Sequence, residues 1–197
     1  IAHQIYDLHA MVLAICIAIA VVVFGAMIYS IVRHRRSLGR EAKQFQDNKA
    51  LVITWTIVPI LIVVGMAFPA TRTVFAMKDT SGPDMTIKVT GYQWLWHYDY
   101  LGEDVSFYSR LSTPWDQIEN RARKGENYLL EVDHPLVVPV GKKVRVLFTA
   151  DDVIHSWWVP ALGVKQDAIP GFVRDSWFKV DTPGEYRGQC AELCGKE

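Results

Sequence analysis

Two long, continuously apolar runs precede a longer region in which apolar and polar positions alternate. The first run, residues 10–32, contains 23 residues without a formal charge, and the second covers residues 50–77. A helix of about 20 apolar residues spans the hydrocarbon core of a bilayer. The charges follow the first run instead of preceding it, which argues against a secretory signal peptide. The pattern predicts two transmembrane helices, at about 10–32 and 50–77, in a membrane domain that covers residues 1–83.

The segment between the two runs, residues 33–49, is short and basic. It contains six lysines and arginines but only two acidic residues. Short basic loops stay on the cytoplasmic side of a membrane. We therefore expect a helical hairpin with both termini on the outer side, carrying an exported domain after the second helix.

From residue 84 onward the hydrophobic pattern has the period of two that is typical of half-buried β-strands. Met85, Ile87 and Val89 alternate with polar neighbours. Turn signals rich in Gly, Pro and Asp separate further strand-like runs, at 128–133, 142–150, 171–180 and 185–190. Residues 111–127 are polar and aperiodic, which predicts a surface loop with a helical turn around WDQIENRARK. Short strands with frequent turns predict an all-β sandwich or barrel at 84–197.

The two parts of the chain carry opposite net charge. Residues 1–83 contain eight lysines and arginines against four acidic residues, a net charge of +4. Residues 84–197 contain 13 lysines and arginines against 17 acidic residues, a net charge of −4. The membrane part is therefore basic and the exported part acidic, and no nucleic-acid partner is expected.

The candidate chemistry of the exported part begins with Cys190 and Cys194, four positions apart in GQCAELCGKE. A disulfide is permitted outside the cell, although so short a loop would add little stability. Zinc prefers four ligands, often from paired motifs, and soft thiolates with an imidazole also suit copper. A disulfide, zinc, copper or another redox metal, and unreactive thiols all remain open from these residues alone. Cys16 lies within an apolar run and is expected to be a buried free thiol.

A histidine that could join the thiols is His155, in TADDVIHSWWVPALG. We expect it on a loop just after the strand-like run at 142–150. A lone histidine beside aromatic residues is more often packed or solvated than metal-bound. Loops at the ends of two strands of a small sandwich converge, however, and this favours a ligand role. The aromatic run GYQWLWHYDY, residues 91–100, is most simply sandwich core plus a membrane-interface belt, with Trp94 and Trp96 pointing the same way.

Taken together, these motifs resemble subunit II of haem–copper cytochrome c oxidases of the aa3 type, over essentially the whole chain. The matching stretches are WTIVP at 55–59, TGYQWLWHYDY at 90–100, DVIHSWWVPALGVKQDAIPG at 152–171 and GEYRGQCAELCG at 184–195. The resemblance implies a two-helix transmembrane hairpin followed by an all-β cupredoxin-like Greek-key head. It also implies an electron-transfer role: electrons pass from cytochrome c to a binuclear copper centre and on to haem in subunit I, where oxygen is reduced to water.

The resemblance assigns roles to individual residues of the head. Cys190 and Cys194 would bridge two coppers, with His155 and the backbone carbonyl of Glu192 as further ligands. The Glu192 side chain would reach a magnesium shared with subunit I, and Trp94 matches the tryptophan through which electrons arrive. The residues that match the family's docking carboxylates for cytochrome c are Asp99, Asp104, Asp133 and Asp152.

Two positions depart from the family's pattern. The family completes the copper centre with a histidine and a methionine, which would be the first residue after Glu197 and the one three residues further on. We expect both ligands in a continuation of the chain; a chain that truly ended at Glu197 would carry a metal-free structural or interaction head, as in the related quinol oxidases. The family's usual proton-channel glutamate at the start of the second span is replaced by Val52. Either another entry such as Asp47 or Glu41 is used, or the chain belongs to a branch of the family without that residue, and the role is left unassigned.

Partners and location follow from the same resemblance. We expect a complex with oxidase subunit I, together with subunit III, in a lipid membrane. The long polar loop at 111–127 and the general resemblance favour a bacterial inner membrane over a mitochondrial one, with the head on the periplasmic side. Some members of the family carry a fused cytochrome c domain after the copper head.

Overall fold

The structure is a computed structural model that describes residues 1–39 and 47–195. The chain divides into a helical unit, His3–Val74, and a β-rich unit that begins at Phe75. Glu41, one of the two acidic alternatives for proton uptake, lies outside the described residues. The division of the sequence at residues 83 and 84 stays a prediction.

The two long helices are α1, Ala2–Arg33, and α2, Lys49–Lys78. Both are long and apolar enough to cross a membrane. Helix α1 begins well before the predicted start at residue 10, because residues 2–9 contain neither glycine nor proline to interrupt it. Helix α2 begins at Lys49 because the Asn48 side chain accepts a hydrogen bond from the Leu51 N–H at 3.1 Å, as an N-cap does.

Cys16 lies exposed on the surface of α1. The prediction of a buried thiol is therefore wrong. The apolar run around Cys16 belongs to a helix without buried residues. An apolar helix surface that crosses a membrane contacts lipid, so its hydrophobic pattern does not require a protein core.

The β-rich unit contains two sheets. The strands are β1 Met85–Tyr92, β2 Leu95–Tyr100, β3 Val105–Arg110, β4 Lys143–Ala150, β5 His155–Val159, β6 Val164–Ala168, β7 Arg174–Lys179 and β8 Gln189–Cys190. The larger sheet has the order β3-β2-β1-β4-β7, and the smaller has the order β6-β5-β8. Strand β1 pairs in parallel with β4, and every other pair of neighbouring strands in these sheets is antiparallel. This all-β arrangement confirms the predicted fold class.

The hydrophobic core lies between the two sheets and follows the alternation seen in the sequence. Strand β4 buries every second residue, from Val144 to Ala150. Phe148 packs against Trp157 with 5.7 Å between ring centroids, and Trp157 stacks on Phe178 at 6.1 Å. The Trp157 indole N–H donates to the Tyr98 hydroxyl, so this buried polar pair is satisfied. These contacts join Trp157 of the smaller sheet to strands of the larger sheet.

The strand-like run at 128–133 is not a strand, and that prediction is wrong. Leu129 adopts a left-handed backbone conformation with φ of 61°, and the Leu130 N–H closes a turn on the Asn127 carbonyl. Only Val132 pairs, in a single bridge with Leu111. The run at 185–190 is reduced to the two residues of β8. The expected helical turn is confirmed as α3, Trp115–Ile118.

Candidate metal centre

His155, Cys190 and Cys194 meet at one end of the β-rich unit. Their metal-binding atoms all lie within 4.8 Å of one another. His155 is the first residue of β5 and only 2% exposed, so its placement on a loop is corrected: it begins a strand. Strand β8 pairs with β5 through Trp157 and Cys190, which brings the first cysteine beside the histidine.

Gly91 of β1 makes room for the histidine. A Cβ atom added at Gly91 would lie 2.7 Å from Cδ2 of His155, closer than real Cβ contacts allow. The absence of a side chain at this position therefore lets the imidazole lie directly against the backbone of β1. Sequence reasoning did not single out Gly91, since its role depends on a contact between distant parts of the chain.

We predict that Gly91→Ala destabilises the head by about 1–3 kcal/mol, the usual cost of forcing extra atoms into a packed site. The measurement is chemical unfolding of the purified full chain in detergent. Gly184→Ala is the matched control, because its added Cβ would lie 3.9 Å from the nearest atom, an ordinary contact. Equal stability of the two variants would contradict the tight packing of His155 on β1.

The two cysteines are free thiols, with 3.9 Å between their sulfur atoms. The disulfide alternative is therefore not the arrangement in this structure. Burial, together with the neighbouring Cys190, raises the pKa of the Cys194 thiol to about 11. A bound cation offsets this effect because it stabilises both thiolates. The donor set of two sulfurs and one imidazole fits a soft transition metal.

The Glu192 backbone adds an oxygen to this donor set. Its carbonyl oxygen lies 3.7 Å from the Cys190 sulfur. The Glu192 carboxylate instead accepts a hydrogen bond from the Leu193 N–H of its own loop, at 3.0 Å. The structure thus places the Glu192 carbonyl beside the Cys190 sulfur.

Trp94 lies beside residues 191–195, the loop that contains Cys194 and is called here the thiol loop. It follows β1 in the turn formed by Gln93 and Trp94, called here the tryptophan turn, and is 40% exposed. Its indole N–H donates to the Cys194 carbonyl at 3.2 Å. Trp96, in β2, packs edge-on against His155 with 5.8 Å between ring centroids. An exposed ring therefore lies one hydrogen bond from a candidate metal ligand.

Comparison with known proteins decides the family. The model of the cytochrome c oxidase subunit II periplasmic domain matches residues 85–197, and the model of its transmembrane domain matches residues 1–73. The cytochrome c oxidase subunit 2 of Cereibacter sphaeroides is 39% identical over 99% of this chain and 69% of its own length. The chain belongs to the cytochrome c oxidase subunit II family. It is thus a component of an oxidoreductase complex and an electron-transfer subunit.

Two further relatives agree with this assignment. The probable cytochrome c oxidase subunit 2 of Rickettsia bellii is 37% identical over 99% of this chain and 71% of its own length. The crystal structure of the periplasmic domain of subunit II of cytochrome oxidase (CoxB) of Bradyrhizobium japonicum aligns with a TM-score of 0.51 and 44% identity, over 58% of this chain and 76% of that one. The family implies a copper centre, a membrane location and other oxidase subunits. The bacterial relatives point to an inner membrane.

The four carboxylates matched to the docking surface of subunit II are not gathered in one cluster. Asp133 accepts a hydrogen bond from the Arg110 N–H at 2.7 Å, and Arg110 pairs with Leu95, the residue after Trp94. Asp99 lies near the end of β2, and Asp104 is exposed in the turn that follows. Asp133 therefore lies near the start of β2, where the tryptophan turn is. Asp99 and Asp104 lie near the other end of β2.

Asp152 lies at the metal site itself. Its carboxylate accepts hydrogen bonds from the Gln93 N–H at 2.6 Å, the Val153 N–H at 2.6 Å and Nε2 of His155 at 2.7 Å. Burial alone would raise the pKa of Asp152, but the bonds from His155, Val153 and Gln93 outweigh it and lower the pKa. Asp152 is therefore part of the support of His155, a role that sequence reasoning did not identify.

Proposed function

We propose that this subunit accepts electrons from cytochrome c at a binuclear copper centre and passes them to haem in subunit I, where oxygen is reduced to water. The observation that carries the proposal is the convergence of His155, Cys190 and Cys194 within 4.8 Å, beside the exposed Trp94. Two soft thiolates and an imidazole on a rigid β-scaffold suit a redox metal. The acidic head also suits a basic electron donor.

The residues that would hold the metal are His155, Cys190, Cys194 and the backbone carbonyl of Glu192. Copper bound here would supply one-electron redox chemistry. The protein holds the ligands rigidly, and burial around them tunes the potential. The count of two coppers, and a histidine and methionine after Glu197 that complete the ligand set, belong to this proposal.

Glu192 has a second proposed role. Glu192 is exposed, and its backbone carbonyl lies next to the Cys190 sulfur, so its carboxylate is available for another ligand. Carboxylates are usual ligands of magnesium. We propose that the Glu192 side chain would bind a magnesium shared with subunit I.

The membrane arrangement completes the proposal. The basic segment 33–49 lies on the cytoplasmic side, and both termini and the head lie on the outer, periplasmic side of a bacterial inner membrane. Subunits I and III are the proposed partners within the membrane. The four carboxylates Asp99, Asp104, Asp133 and Asp152 are the proposed docking charges for cytochrome c.

Asp104 offers a direct test of the docking charges, because it is exposed and no hydrogen bond of its side chain is found among the described residues. We predict that Asp104→Asn raises the KM of the oxidase complex for cytochrome c by roughly two- to fivefold at low ionic strength, with little change in its kcat. Loss of a charge at the edge of an interface has this effect because it slows association. The difference should disappear at high salt. Asp181→Asn is the control, since Asp181 follows the opposite edge strand, β7. Equal KM values in the two variants would remove Asp104 from the docking surface.

Rapid mixing of reduced cytochrome c with the copper-loaded subunit tests the electron flow. The subunit is prepared with any residues that its gene encodes beyond Glu197. We expect oxidation of the cytochrome to coincide with bleaching of the thiolate-to-copper absorption. Copper that stays oxidised in the presence of reduced cytochrome c would contradict the proposed direction of transfer.

A further inference from the structure

Gln93 contacts both segments that carry the candidate metal ligands. We propose that Gln93 is a positioning residue that ties the tryptophan turn to the His155 segment and to the Cys194 loop. The inference rests on the proposed function, in which both segments hold copper. It is carried by two hydrogen bonds that Gln93 donates, one from its backbone and one from its side chain.

The backbone bond reaches the histidine through Asp152. The Gln93 N–H donates to Oδ2 of Asp152 at 2.6 Å, and Oδ1 of the same carboxylate lies 2.7 Å from Nε2 of His155. An ionised carboxylate only accepts hydrogen bonds, so Nε2 carries the proton and Nδ1 keeps the lone pair that a metal needs. A carboxylate in this position orients a ligating histidine. The tryptophan turn thereby fixes the orientation of the His155 ring.

The side-chain bond reaches the second cysteine. Nε2 of Gln93 donates to the Cys194 carbonyl at 2.8 Å, and the Trp94 indole donates to the same oxygen. A Cβ atom added at Gly195 would lie 2.9 Å from Nε2 of Gln93. The loop backbone at Cys194 and Gly195 is therefore packed closely against the tryptophan turn. Trp94 donates a weaker, longer bond at 3.2 Å, so the Gln93 amide is the principal donor to this carbonyl.

The consequence is a fixed spacing between three parts of the site. Gln93, which precedes Trp94, is linked through Asp152 to the imidazole of His155 and directly to the backbone carbonyl of Cys194. Electron transfer depends on a ligand geometry that does not change between oxidation states, and hydrogen bonds to the ligand segments supply that constancy. Gln93 is also exposed, so a contact with the electron donor is the competing role.

The experiment uses the full chain with Gln93→Ala and Gln93→Glu. Both variants keep the backbone N–H to Asp152 and lose the amide donor to Cys194, and the second keeps the size of the side chain. Gln117→Ala is the control, because Gln117 also makes one side-chain bond to a backbone group, the Gly125 N–H at 3.1 Å. In the metal-free protein, amide hydrogen exchange at residues 190–195 should become roughly 3- to 10-fold faster in both Gln93 variants, as expected for one lost hydrogen bond.

In the copper-loaded protein, both Gln93 variants should alter the thiolate-to-copper absorption and the copper hyperfine pattern, while Gln117→Ala should not. Exchange and spectra that match the unsubstituted chain would overturn the inference, and a raised KM for cytochrome c without those changes would assign Gln93 to donor contact instead. A chain that binds no copper in any form defeats the proposed function. The exchange measurement on the metal-free protein still decides whether Gln93 holds the loop.

Discussion

Replacing Cys190 or Cys194 with serine is expected to abolish the intense purple thiolate-to-copper absorption and to weaken copper binding by on the order of 100-fold or more. The two sulfurs lie 3.9 Å apart, and these sulfurs and a ring nitrogen of His155 all lie within 4.8 Å of one another. Both sulfurs therefore belong to the same site. A hydroxyl is a harder and less acidic ligand than a thiol, and it cannot supply the same charge-transfer absorption. Absorption spectroscopy and metal analysis of the purified chain measure both effects.

Cys16→Ser is the matched control for this pair. Cys16 lies exposed on α1, in the helical unit and outside the β-rich unit that carries the site. Its substitution should leave absorption and copper content unchanged. Full colour and copper content in Cys190→Ser or Cys194→Ser would exclude that sulfur from the metal site.

Replacing Trp94 with phenylalanine is expected to slow electron uptake from cytochrome c by roughly tenfold or more, equivalent to about 1.4 kcal/mol in activation free energy. Trp94 is 40% exposed, and its indole N–H donates to the Cys194 carbonyl. Phenylalanine keeps an aromatic ring but loses this donor, and with it the hydrogen-bonded link between the surface and the thiol loop. Copper content should stay intact, because Gln93 still donates to the same carbonyl.

Stopped-flow kinetics and metal analysis on the same sample separate two roles of Trp94. Slow electron uptake with full copper content supports the transfer role. Loss of copper in Trp94→Phe would instead assign the indole to packing. Trp115→Phe is the control, since Trp115 is an exposed tryptophan that begins α3 on the surface loop.

The sequence predicted the parts of the fold that have a simple physical signature. The two helices are long and apolar because they cross a membrane, and β4 alternates because one of its faces is buried. Strand β5 was not predicted because HSWWV does not alternate between apolar and polar residues. Four of its five residues are buried, as in a strand covered on both faces. The run at 128–133 alternates without burial, and its turn at Leu129 shows that pattern alone does not make a strand.

The same distinction applies to the site. The thiol spacing and the histidine are visible in the sequence because their side chains carry unusual chemistry. Gly91 and Gln93 were not identified from the sequence because their roles arise from contacts with distant residues. Gly91 lies against His155, and Gln93 donates to the Cys194 carbonyl. The resemblance assigned Asp152 to docking, and its hydrogen bond to His155 is a further contact that the sequence does not show.

Metal analysis of the purified subunit, prepared with any residues that its gene encodes beyond Glu197, decides whether it carries a copper centre. After reconstitution with copper, we expect two copper ions per chain and an intense purple absorption from thiolate-to-copper charge transfer. A folded, colourless protein that binds no copper after reconstitution would contradict the proposed copper centre.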